Sequence, residues 1–390
     1  MDYELPVGWK WCKQNEVCRL TDGEKKTDVS YPYLEVKYLR GNKEKDFVTS
    51  GKFIKAGTKV ILVDGENSGE VFTVPEDGYM GSTFKALSIQ NVDEKYLQFF
   101  IQTKKDLYRN NKKGSAIPHL NKDLFFNMPF PLPPTLTEQQ RIVSRIESLF
   151  TKLDEAKDKA QSVVDGFELR RAAVLHKAFT GELTAKWRKD TVSDDSWEEK
   201  TIGECCTVVR GGSPRPAGDP KYYDGTIPFM KVADITGNDS KYVCSTQFTI
   251  KEAGLHKTRM VEPDTLLLTN SGATLGVPAI TKIKTTFNDG IAAFLNLPKE
   301  SNLYFYYFFT SKTTELRAIN MGAAQPNLNI DIIKSITIPV PTLAEQQEIV
   351  RILDTVLEKE TRAKEATQTV LDQIALLKKS ILARAFRGEL

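Results

Sequence analysis

The sequence predicts an α+β protein with a pseudo-two-fold internal repeat, in which two mixed α/β regions are separated by two long antiparallel coiled-coil helices. Three observations support this fold class. A segment of 50 residues occurs twice, 207 positions apart. Each copy carries an apolar stripe at heptad spacing. The residues preceding each copy contain short β-rich runs separated by glycine, proline, asparagine and aspartate.

Length and composition favour a multidomain protein without membrane spans. The chain has 390 residues, of which 40% are hydrophobic and 27% charged, and we expect two or three domains. Its longest apolar run, Leu303 to Phe309, is much shorter than the ~20 residues of a membrane helix. Five cysteines without a CxxC pair, and a first stretch without a signal pattern, predict reduced thiols and a cytoplasmic location. The net charge of +3 leaves any nucleic-acid binding to local basic patches.

The repeat defines the predicted domain organisation. Pro134 to Val143 recurs as Pro341 to Val350, and Ala178 to Leu183 recurs as Ala385 to Leu390, with 21 identities over 50 residues and no insertion. A weaker match relates Gly114–Asn121 to Gly322–Asn329 at an offset of 208. The predicted segments are an α/β domain at 1–133, a helical spacer at 134–183, a linker at 184–195, a second α/β domain at 196–340 and a second spacer at 341–390.

Each spacer is predicted to be a long helix. The first stripe consists of Ile142, Ile146, Leu149, Leu153, Ala156, Ala160, Val163 and Phe167, and the second of Ile349, Leu353, Val356, Ala363, Val370, Ile374, Leu377 and Ile381. Thr-x-x-Glu capping boxes (Thr135/Glu138, Thr342/Glu345) begin both copies, and a Phe-x-Gly C-cap ends both. Roughly 40 residues correspond to ~60 Å of helix. We expect the two helices to pair antiparallel; alternatively, each stripe packs on its own domain. Gly166 predicts a local kink or close contact.

The two α/β regions each combine short strands with one helix. Strands are predicted at Lys59–Val63, Val71–Val74, Thr265–Thr269 and Ser335–Val340, and helices at Asp93–Arg109 and Asn302–Asn320. The aromatic clusters Phe99-Phe100 and Tyr304–Phe309 are typical of a core rather than of a base-stacking surface.

No catalytic apparatus is recognisable in the sequence. The histidines at 119, 176 and 256 are too far apart to suggest a metal site, and Cys205-Cys206 lacks chelating spacing. The chain has no phosphate-binding loop, dinucleotide fingerprint or nucleophile elbow. These observations favour a non-enzymatic recognition subunit, although a carboxylate metal site stays an open alternative.

Basic and glycine-rich loops are the candidate ligand surfaces. Arg210-Gly211-Gly212-Ser213-Pro214-Arg215 offers backbone N–H groups and two guanidinium groups, which suit phosphates or guanine edges. The same segment is also typical of a flexible surface loop, and a charge run is often only solvated surface.

The repeated motifs carry a family resemblance. Pro129 to Pro134 followed by Leu-x-Glu-Gln-Gln-x-Ile-Val, a long helix and Ala-Phe-x-Gly-Glu-Leu resembles the specificity (S) subunits of type I restriction-modification enzymes. Arg210–Arg215 followed by Ile227–Ile235 is similar to the family in the second region. Tyr31–Lys37 looks like the same strand in the first region, where the Gly-Gly-Ser-Pro loop has no clear equivalent.

The resemblance implies a function. Each α/β region would be a target recognition domain that reads one half of an interrupted DNA site, and the helices would set the spacing. Two methyltransferase subunits and motor-nuclease restriction subunits would dock on the chain and supply S-adenosylmethionine, ATP and Mg chemistry, with no cofactor in this chain. The alternative is a coiled-coil protein-interaction scaffold with no nucleic-acid role.

Within that picture we expect lysines to neutralise phosphates and arginine, asparagine and serine to reach base edges. The predicted DNA-binding residues are Lys25, Lys26, Lys37, Arg40, Lys112, Lys113, Arg210, Ser213, Arg215, Lys231, Lys257, Arg259, Asn270 and Ser271. The predicted partner-binding residues are Gln139, Gln140, Gln346 and Gln347, which equally suit local contacts at the helix starts.

Overall fold

The computed structural model describes residues 3–114, 118–191, 197–319 and 327–390. The chain divides into two compact units, one formed by Met1–Ser162 with Thr367–Leu390 (unit 1) and one by Val163–Ala366 (unit 2). Residues 115–117 and 322–326 of the weaker repeat motif, and residues 192–195 of the predicted linker, lie outside the described residues. Within the described ranges, no helix combines the length and the apolar character needed to cross a bilayer.

Residues 10–132 of unit 1 form sheet region 1. Its strands are β1 (Lys10–Lys13), β2 (Cys18–Thr21), β3 (Glu24–Leu34), β4 (Phe47–Ile54), β5 (Lys59–Leu62), β6 (Val71–Thr73), β7 (Gly78–Met80), β8 (Phe84–Ile89) and β9 (Pro129–Leu132). Its helices are α1 (Val36–Leu39), α2 (Glu94–Thr103), α3 (Lys105–Asn110) and α4 (Lys122–Phe126). The strands pair as β1-β9, as the sheet β2-β8-β5-β6, and as a closed group β3-β4-β7.

The first spacer follows as α5 (Leu136–Asp165) and α6 (Phe167–Phe179), and α7 (Ala185–Thr191) lies in the predicted linker. The single helix predicted for the first copy is therefore divided in two. Gly166 lies at the break, with φ of −76° and ψ of −8°, as the low helix propensity of glycine suggested. The second copy is one continuous helix, α12 (Leu343–Ala385).

Residues 198–340 of unit 2 form sheet region 2. Its strands are β10 (Glu198–Thr201), β11 (Thr207–Arg210), β12 (Tyr223–Met230), β13 (Tyr242–Val243), β14 (Phe248–Ile250), β15 (Arg259–Val261), β16 (Leu266–Thr269), β17 (Pro278–Thr281), β18 (Thr285–Phe287), β19 (Ile291–Leu295) and β20 (Thr337–Val340). Its helices are α8 (Ile202–Cys205), α9 (Val232–Thr236), α10 (Asn302–Ala318) and α11 (Ile330–Ser335). The sheets are β10-β20, β11-β19-β16-β17-β13 and β14-β12-β18-β15.

The two sheet regions share one arrangement of strands, with equivalent residues paired in both, which we call the common frame. The pair Val60–Ala86 of β5 and β8 recurs 207 residues later as Leu267–Ala293 of β16 and β19. Each region also has a parallel pair that begins at the strand noted in the family resemblance, β3 with β7 and β12 with β18. The repeat therefore extends through segments whose sequences have diverged.

The predicted aromatic clusters form the cores, as the sequence indicated. Phe100, Tyr304, Phe308 and Phe309 are buried. The hydroxyl of Tyr304 donates to Pro339 O at 2.6 Å, and the hydroxyl of Tyr96, 208 positions earlier, donates to Pro131 O at 3.0 Å. Because burying a hydroxyl without a partner is costly, this shared hydrogen bond stabilises the same corner in each region.

The spacer helices pair antiparallel within each unit, as predicted. In unit 1, Asp154 pairs with Lys378, and Arg141 Nη2 donates to Leu390 O at 2.8 Å. In unit 2, Arg170 Nε lies 3.0 Å from Glu360 Oε2. The alternative packing also occurs, because the starts of α5 and α12 bury apolar side chains in the core of their own sheet region.

The apolar stripe is less regular than its heptad spacing predicted. Leu377 is 50% exposed and Val163 is 39% exposed, whereas Leu382, which is outside the predicted stripe, is 4% exposed. An α-helix has 3.6 residues per turn, so a heptad stripe drifts around it, and the helix end turns toward the sheet region as well as the other helix. The pattern therefore predicted the helices better than it predicted their buried faces.

The caps follow the repeat. Gly181 and Gly388 adopt φ of 79° and 75°, the left-handed conformation predicted for both C-caps. The backbone N–H groups of Glu138 and Glu345 donate to Thr135 Oγ1 at 3.2 Å and to Thr342 Oγ1 at 3.3 Å. The hydroxyl half of each capping box is thus formed, while both glutamate carboxylates bind other side chains.

Candidate nucleic-acid interface

The loop from Arg210 to Arg215 is fastened to sheet region 2. The N–H of Gly211 donates to Ile291 O at 3.0 Å, and the N–H of Gly212 donates to Phe287 O at 3.1 Å. A Cβ on Gly211 would lie 2.2 Å from Asn288 O, so only glycine fits there. Both N–H groups are used within the protein, so for these two glycines the expectation of N–H groups that face a ligand is wrong. The side chains of Arg210, Ser213 and Arg215 remain candidates for binding.

Asp289 organises those side chains. Its Oδ1 accepts a hydrogen bond from Ser213 Oγ at 2.6 Å, and its backbone oxygen accepts one from Arg210 Nε at 2.6 Å. Arg215 Nη2 lies 3.9 Å from Asp289 Oδ2 and is largely exposed. The sequence gives no sign of this aspartate, because it lies 76 residues beyond Ser213 and only the strand pairing brings it near.

Arg259 and Lys257 join the same surface. Arg259 Nε donates to Arg210 O at 3.0 Å. A Cβ on Gly212 would lie 2.3 Å from Lys257 O, so the backbone of Lys257 passes directly against the loop. Sheet region 2 therefore brings together five predicted residues: Arg210, Ser213 and Arg215 lie against Asp289, the side chain of Arg259 bonds to the backbone of Arg210, and the backbone of Lys257 lies against the loop.

The remaining predicted residues of sheet region 2, Lys231, Asn270 and Ser271, have other surroundings. Lys231 Nζ is 3.2 Å from the centre of the half-exposed Phe248 ring. Asn270 is 0% exposed, and its side-chain nitrogen and oxygen have no hydrogen-bond partner among the described residues. Its backbone N–H donates to Gly290 O at 2.9 Å, and Ser271 Oγ lies against the same glycine. Asn270 and Ser271 thus lie behind the turn that carries Asp289, and Asn270 does not reach the surface.

The predicted residues of sheet region 1 form two separate groups. Lys25 and Lys26 lie on β3, where Lys26 Nζ is 3.6 Å from the centre of the Phe53 ring. Arg40 pairs with Glu70, and Lys112 Nζ lies 2.6 Å from Glu66 Oε2, so both flank one acidic loop. Two predicted residues of this region remain: Lys113 pairs with Asp123, and Lys37 is exposed on α1.

The aromatic rings beneath Lys26 and Lys231 were also missed by the sequence reasoning. Phe53 lies on β4 and Phe248 on β14, the strands that pair antiparallel with β3 and β12. A cation over a ring is attracted by the negative ring face. The alternating pattern of a strand could have placed a phenylalanine on that face, but not opposite a particular lysine.

Asp22 occupies the position in sheet region 1 that Arg210 occupies in sheet region 2. Each follows the residue paired with the equivalent alanine, Thr21 with Ala86 and Val209 with Ala293. Asp22 is hydrogen-bonded by Lys52 and by Lys85 Nζ, the latter at 2.7 Å. These hydrogen bonds from Lys52 and Lys85 lower the pKa of Asp22 to about 2, so the carboxylate stays ionised at neutral pH. The two lysines balance its negative charge.

The four glutamines divide into a buried pair and an exposed pair. Gln139 Oε1 accepts from Asp93 N–H at 2.7 Å, and Gln346 Nε2 donates to Pro341 O at 2.9 Å. Gln346 thus makes the local helix-start contact that was the alternative to partner binding, whereas Gln139 joins the start of α5 to the start of α2. Gln140 and Gln347 are exposed, so they are the members of the set that a partner could reach.

Two cysteines of the described chain are buried in the cores. Burial raises the pKa of the Cys18 and Cys206 thiols to about 12, which keeps both protonated and poorly nucleophilic near neutral pH. In the ranges that the structure describes, no group of three or more histidine, cysteine, aspartate or glutamate side chains could hold a metal ion.

Comparisons with known proteins follow the same division of the chain. A family model described as type I restriction modification DNA specificity domain matches residues 6–163 and 194–373. The specificity subunit of the type I restriction enzyme MjaVIII from Methanocaldococcus jannaschii is 25% identical, over 99% of this chain and 94% of its own length.

Two solved structures resemble the fold. The first is a solved structure described as the structural basis of complex assembly and conformational transition of the type I R-M system. The chain matches it with a TM-score of 0.77 and 20% identity, over 100% of both chains. It matches the HsdS subunit from Thermoanaerobacter tengcongensis with a TM-score of 0.65 and 20% identity, over 100% of this chain and 99% of the other.

Proposed function

Because the chain belongs to the family of type I restriction-modification DNA specificity domains, we propose that it selects the DNA sequence on which a type I restriction-modification complex acts. The chain is a non-catalytic specificity subunit. In this proposal it reads a bipartite, interrupted double-stranded target, with one half-site read by each sheet region. The family's DNA specificity weighs against the scaffold without a nucleic-acid role.

The domain boundaries in this proposal are those expected from the repeat. Residues 1–133 and 196–340 are the two target recognition domains, 134–183 and 341–390 are the spacers, and 184–195 is the linker. The gap between β9 and α5 and the gap between β20 and α12 support the two recognition-domain ends. Helix α7 occupies most of the described part of the linker.

The observation that supports DNA reading is that the two sheet regions have the same strand arrangement but carry different charged side chains at equivalent positions. Asp22 and Arg210 occupy equivalent strand ends, yet the first is neutralised by lysines and the second joins a cationic cluster. Arginine reads guanine edges, whereas lysines mainly contact phosphates, so unlike surfaces suit unlike half-sites. The fourteen predicted residues remain our candidates, with Asn270 acting through the turn behind the surface.

Partner subunits dock on the spacers in this proposal. Two methyltransferase subunits and the restriction subunits bring S-adenosylmethionine, ATP and Mg, and the complex works in the cytoplasm. Exposed apolar side chains support such docking, because Leu169 is 76% exposed and Leu376, its repeat equivalent, is 66% exposed. Gln140 and Gln347 lie on exposed positions near the helix starts.

A domain exchange tests the proposal. Residues 1–133 are replaced by the corresponding domain of another family member, and the chain is expressed with its methyltransferase subunit. Mapping modified adenines should reveal an interrupted site in which one half changes and the other is retained. Simultaneous change of both half-sites, or methylation without sequence preference, would contradict the assignment of one half-site to each region.

A further inference from the structure

One edge of the sheet β14-β12-β18-β15 carries both cations and an exposed aromatic ring. Strands β12 and β18 run parallel, so Lys231, which follows β12, and Asp289, which follows β18, leave the sheet at the same edge. Strands β14 and β15 run antiparallel to these two and begin at that edge with Phe248 and Arg259. The order along the edge is therefore Phe248, Lys231, Asp289 and Arg259.

The Phe248 ring is held in a fixed position at this edge. Asp234 Oδ2 accepts a hydrogen bond from the N–H of Lys231 at 2.7 Å, and Asp234 Oδ1 accepts one from the N–H of Gln247 at 3.0 Å. One carboxylate thus fastens the backbone on both sides of the lysine–ring contact, in which Lys231 Nζ lies 3.2 Å from the ring centre. Phe248 nevertheless stays 41% exposed. The edge therefore presents a positioned apolar surface to an incoming molecule.

The ring is close enough to the Arg210–Arg215 loop to serve the same half-site. Phe248 lies two strands away from β18, which ends next to Asp289. Neighbouring strands are ~4.8 Å apart, so the ring is roughly 10 Å from the turn that holds the loop. Successive bases of a DNA strand are ~3.4 Å apart. The ring and the loop are therefore separated by about three base pairs.

The surroundings of the ring suit DNA better than an apolar protein segment. Lys231 has no carboxylate partner among the described residues, and Arg210, Arg215 and Arg259 lie along the same edge. These cations favour a polyanion, and they leave the ring as the apolar contact within a charged surface. On a base edge in the major groove, the apolar group that a phenylalanine can recognise is the C5-methyl of thymine.

Sheet region 1 has different chemistry at the equivalent place. Glu35 precedes α1 just as Lys231 precedes α9. The backbone oxygen of Asp46 accepts a hydrogen bond from the residue of β3 that is equivalent to the residue of β12 opposite Phe248. Instead of a cation and a ring, this place holds two carboxylates that share Lys43, whose Nζ lies 2.6 Å from Glu35 Oε1. At this position of the common frame, the ring therefore belongs to sheet region 2 alone.

We propose that Phe248 recognises the C5-methyl group of one thymine in the half-site read by sheet region 2. Lys231 is a positioning residue, which holds the ring and contacts a neighbouring phosphate. This inference rests on the proposed function, in which adenines of the target are modified, and each adenine is paired with a thymine. Burial of one methyl group corresponds to about fourfold in affinity.

Replacing thymine by deoxyuridine removes only this methyl group and so tests the contact. In the complex with its methyltransferase subunit, the half-site of sheet region 2 is the half retained when residues 1–133 are exchanged. Substituting its thymines one at a time should weaken binding about fourfold at a single position. With Phe248→Ala, the complex should bind the thymine and deoxyuridine targets equally. Met260→Ala is the matched control, because Met260 on β15 is 40% exposed, and it should retain the fourfold difference.

The role of Lys231 is tested on the same two targets. Lys231→Met keeps an unbranched side chain beside the ring but removes its charge. Binding to both targets should weaken equally, the slope of log affinity against log salt should fall by about one, and the fourfold difference should remain. An unchanged slope would contradict the phosphate contact.

A photochemical measurement on the unaltered complex covers variants that fold poorly. With 5-iododeoxyuridine at the responsive position, where iodine replaces the methyl group, irradiation should crosslink the DNA to the peptide that contains Phe248. The proposal would be overturned by a crosslink elsewhere, by a half-site without a responsive thymine, or by a thymine preference that survives Phe248→Ala. Equal weakening of both targets by Phe248→Ala, with the preference intact, would likewise overturn it. If the unaltered complex bound all DNA sequences equally, the proposed function itself would fail.

Discussion

The two copies of the repeat use the same glutamate in opposite ways. Glu345, at the start of α12, is 2% exposed and binds Arg188 Nη1 at 2.6 Å, Thr184 Oγ1 at 2.7 Å and Trp197 Nε1 at 3.1 Å. Glu138, 207 positions earlier, forms a partly exposed pair with Arg141 one turn away. The same sequence motif thus fastens helix α7 in one copy and makes a local helix-surface pair in the other.

The sheet regions differ in the same manner. Strand register places Asp22 and Arg210 at one position of a common frame, and Ser82 and Asp289 at another, since 289 is 207 beyond 82. Sheet region 2 uses its acid at the second position to hold a cationic loop, while sheet region 1 uses its acid at the first to hold two lysines. Duplication kept the frame, and divergence redistributed the charges on it.

The largest expected effect concerns the buried glutamate. Glu345→Ala should destabilise unit 2 by ~3–5 kcal/mol, because Arg188, Thr184 and Trp197 all lose the buried carboxylate that accepts their hydrogen bonds. Glu138→Ala, the matched control, should cost at most ~1 kcal/mol, as expected for a partly exposed pair. Hydrogen exchange should become faster across α7 in the first variant alone. Equal effects of the two substitutions would mean that burial does not distinguish the copies.

The next effect concerns DNA discrimination. Asp289→Ala removes the acceptor for Ser213 and the negative charge near Arg215, so the loop loosens while the surface becomes more basic. The ratio of specific to nonspecific DNA binding by the complex should fall about tenfold, or ~1.4 kcal/mol, at one half-site only. Ser82→Ala should leave the ratio unchanged. This ratio is measured by titrating the complex against DNA targets altered in either half-site. A loss of discrimination at both half-sites would contradict the role of Asp289 at a single half-site.

The smallest effect is a pH dependence in sheet region 1. The pKa of Asp22 falls from an ordinary value of 3.8 to about 2 on folding, because Lys52 and Lys85 hydrogen-bond its carboxylate. Its contribution to stability is therefore present above about pH 4 and is lost as the pH falls toward 2. Asp22→Asn should lower the melting temperature slightly at pH 5, and the difference should vanish near pH 2. Arg210→Gln should show no such convergence, because arginine does not titrate there; a constant Asp22→Asn difference would contradict the lowered pKa.

The sequence alone determined the features that depend on spacing along the chain. The duplication, the long helices, the C-cap glycines and the aromatic cores were all predicted, because periodicity, capping and hydrophobic clustering are local signals. The family resemblance came from the same repeated segments. The heptad stripe was less reliable, since Leu377 shows that a helix contacting both another helix and a sheet buries a drifting face.

Only the tertiary structure decided which polar groups meet. Strand register brought Asp289 to Ser213 and the Lys52 and Lys85 side chains to Asp22. It also placed Asn270 inside and separated the buried Gln139 and Gln346 from their exposed neighbours. These contacts join residues tens of positions apart, and charge interactions depend on distance and burial in space, which residue spacing in the sequence does not encode.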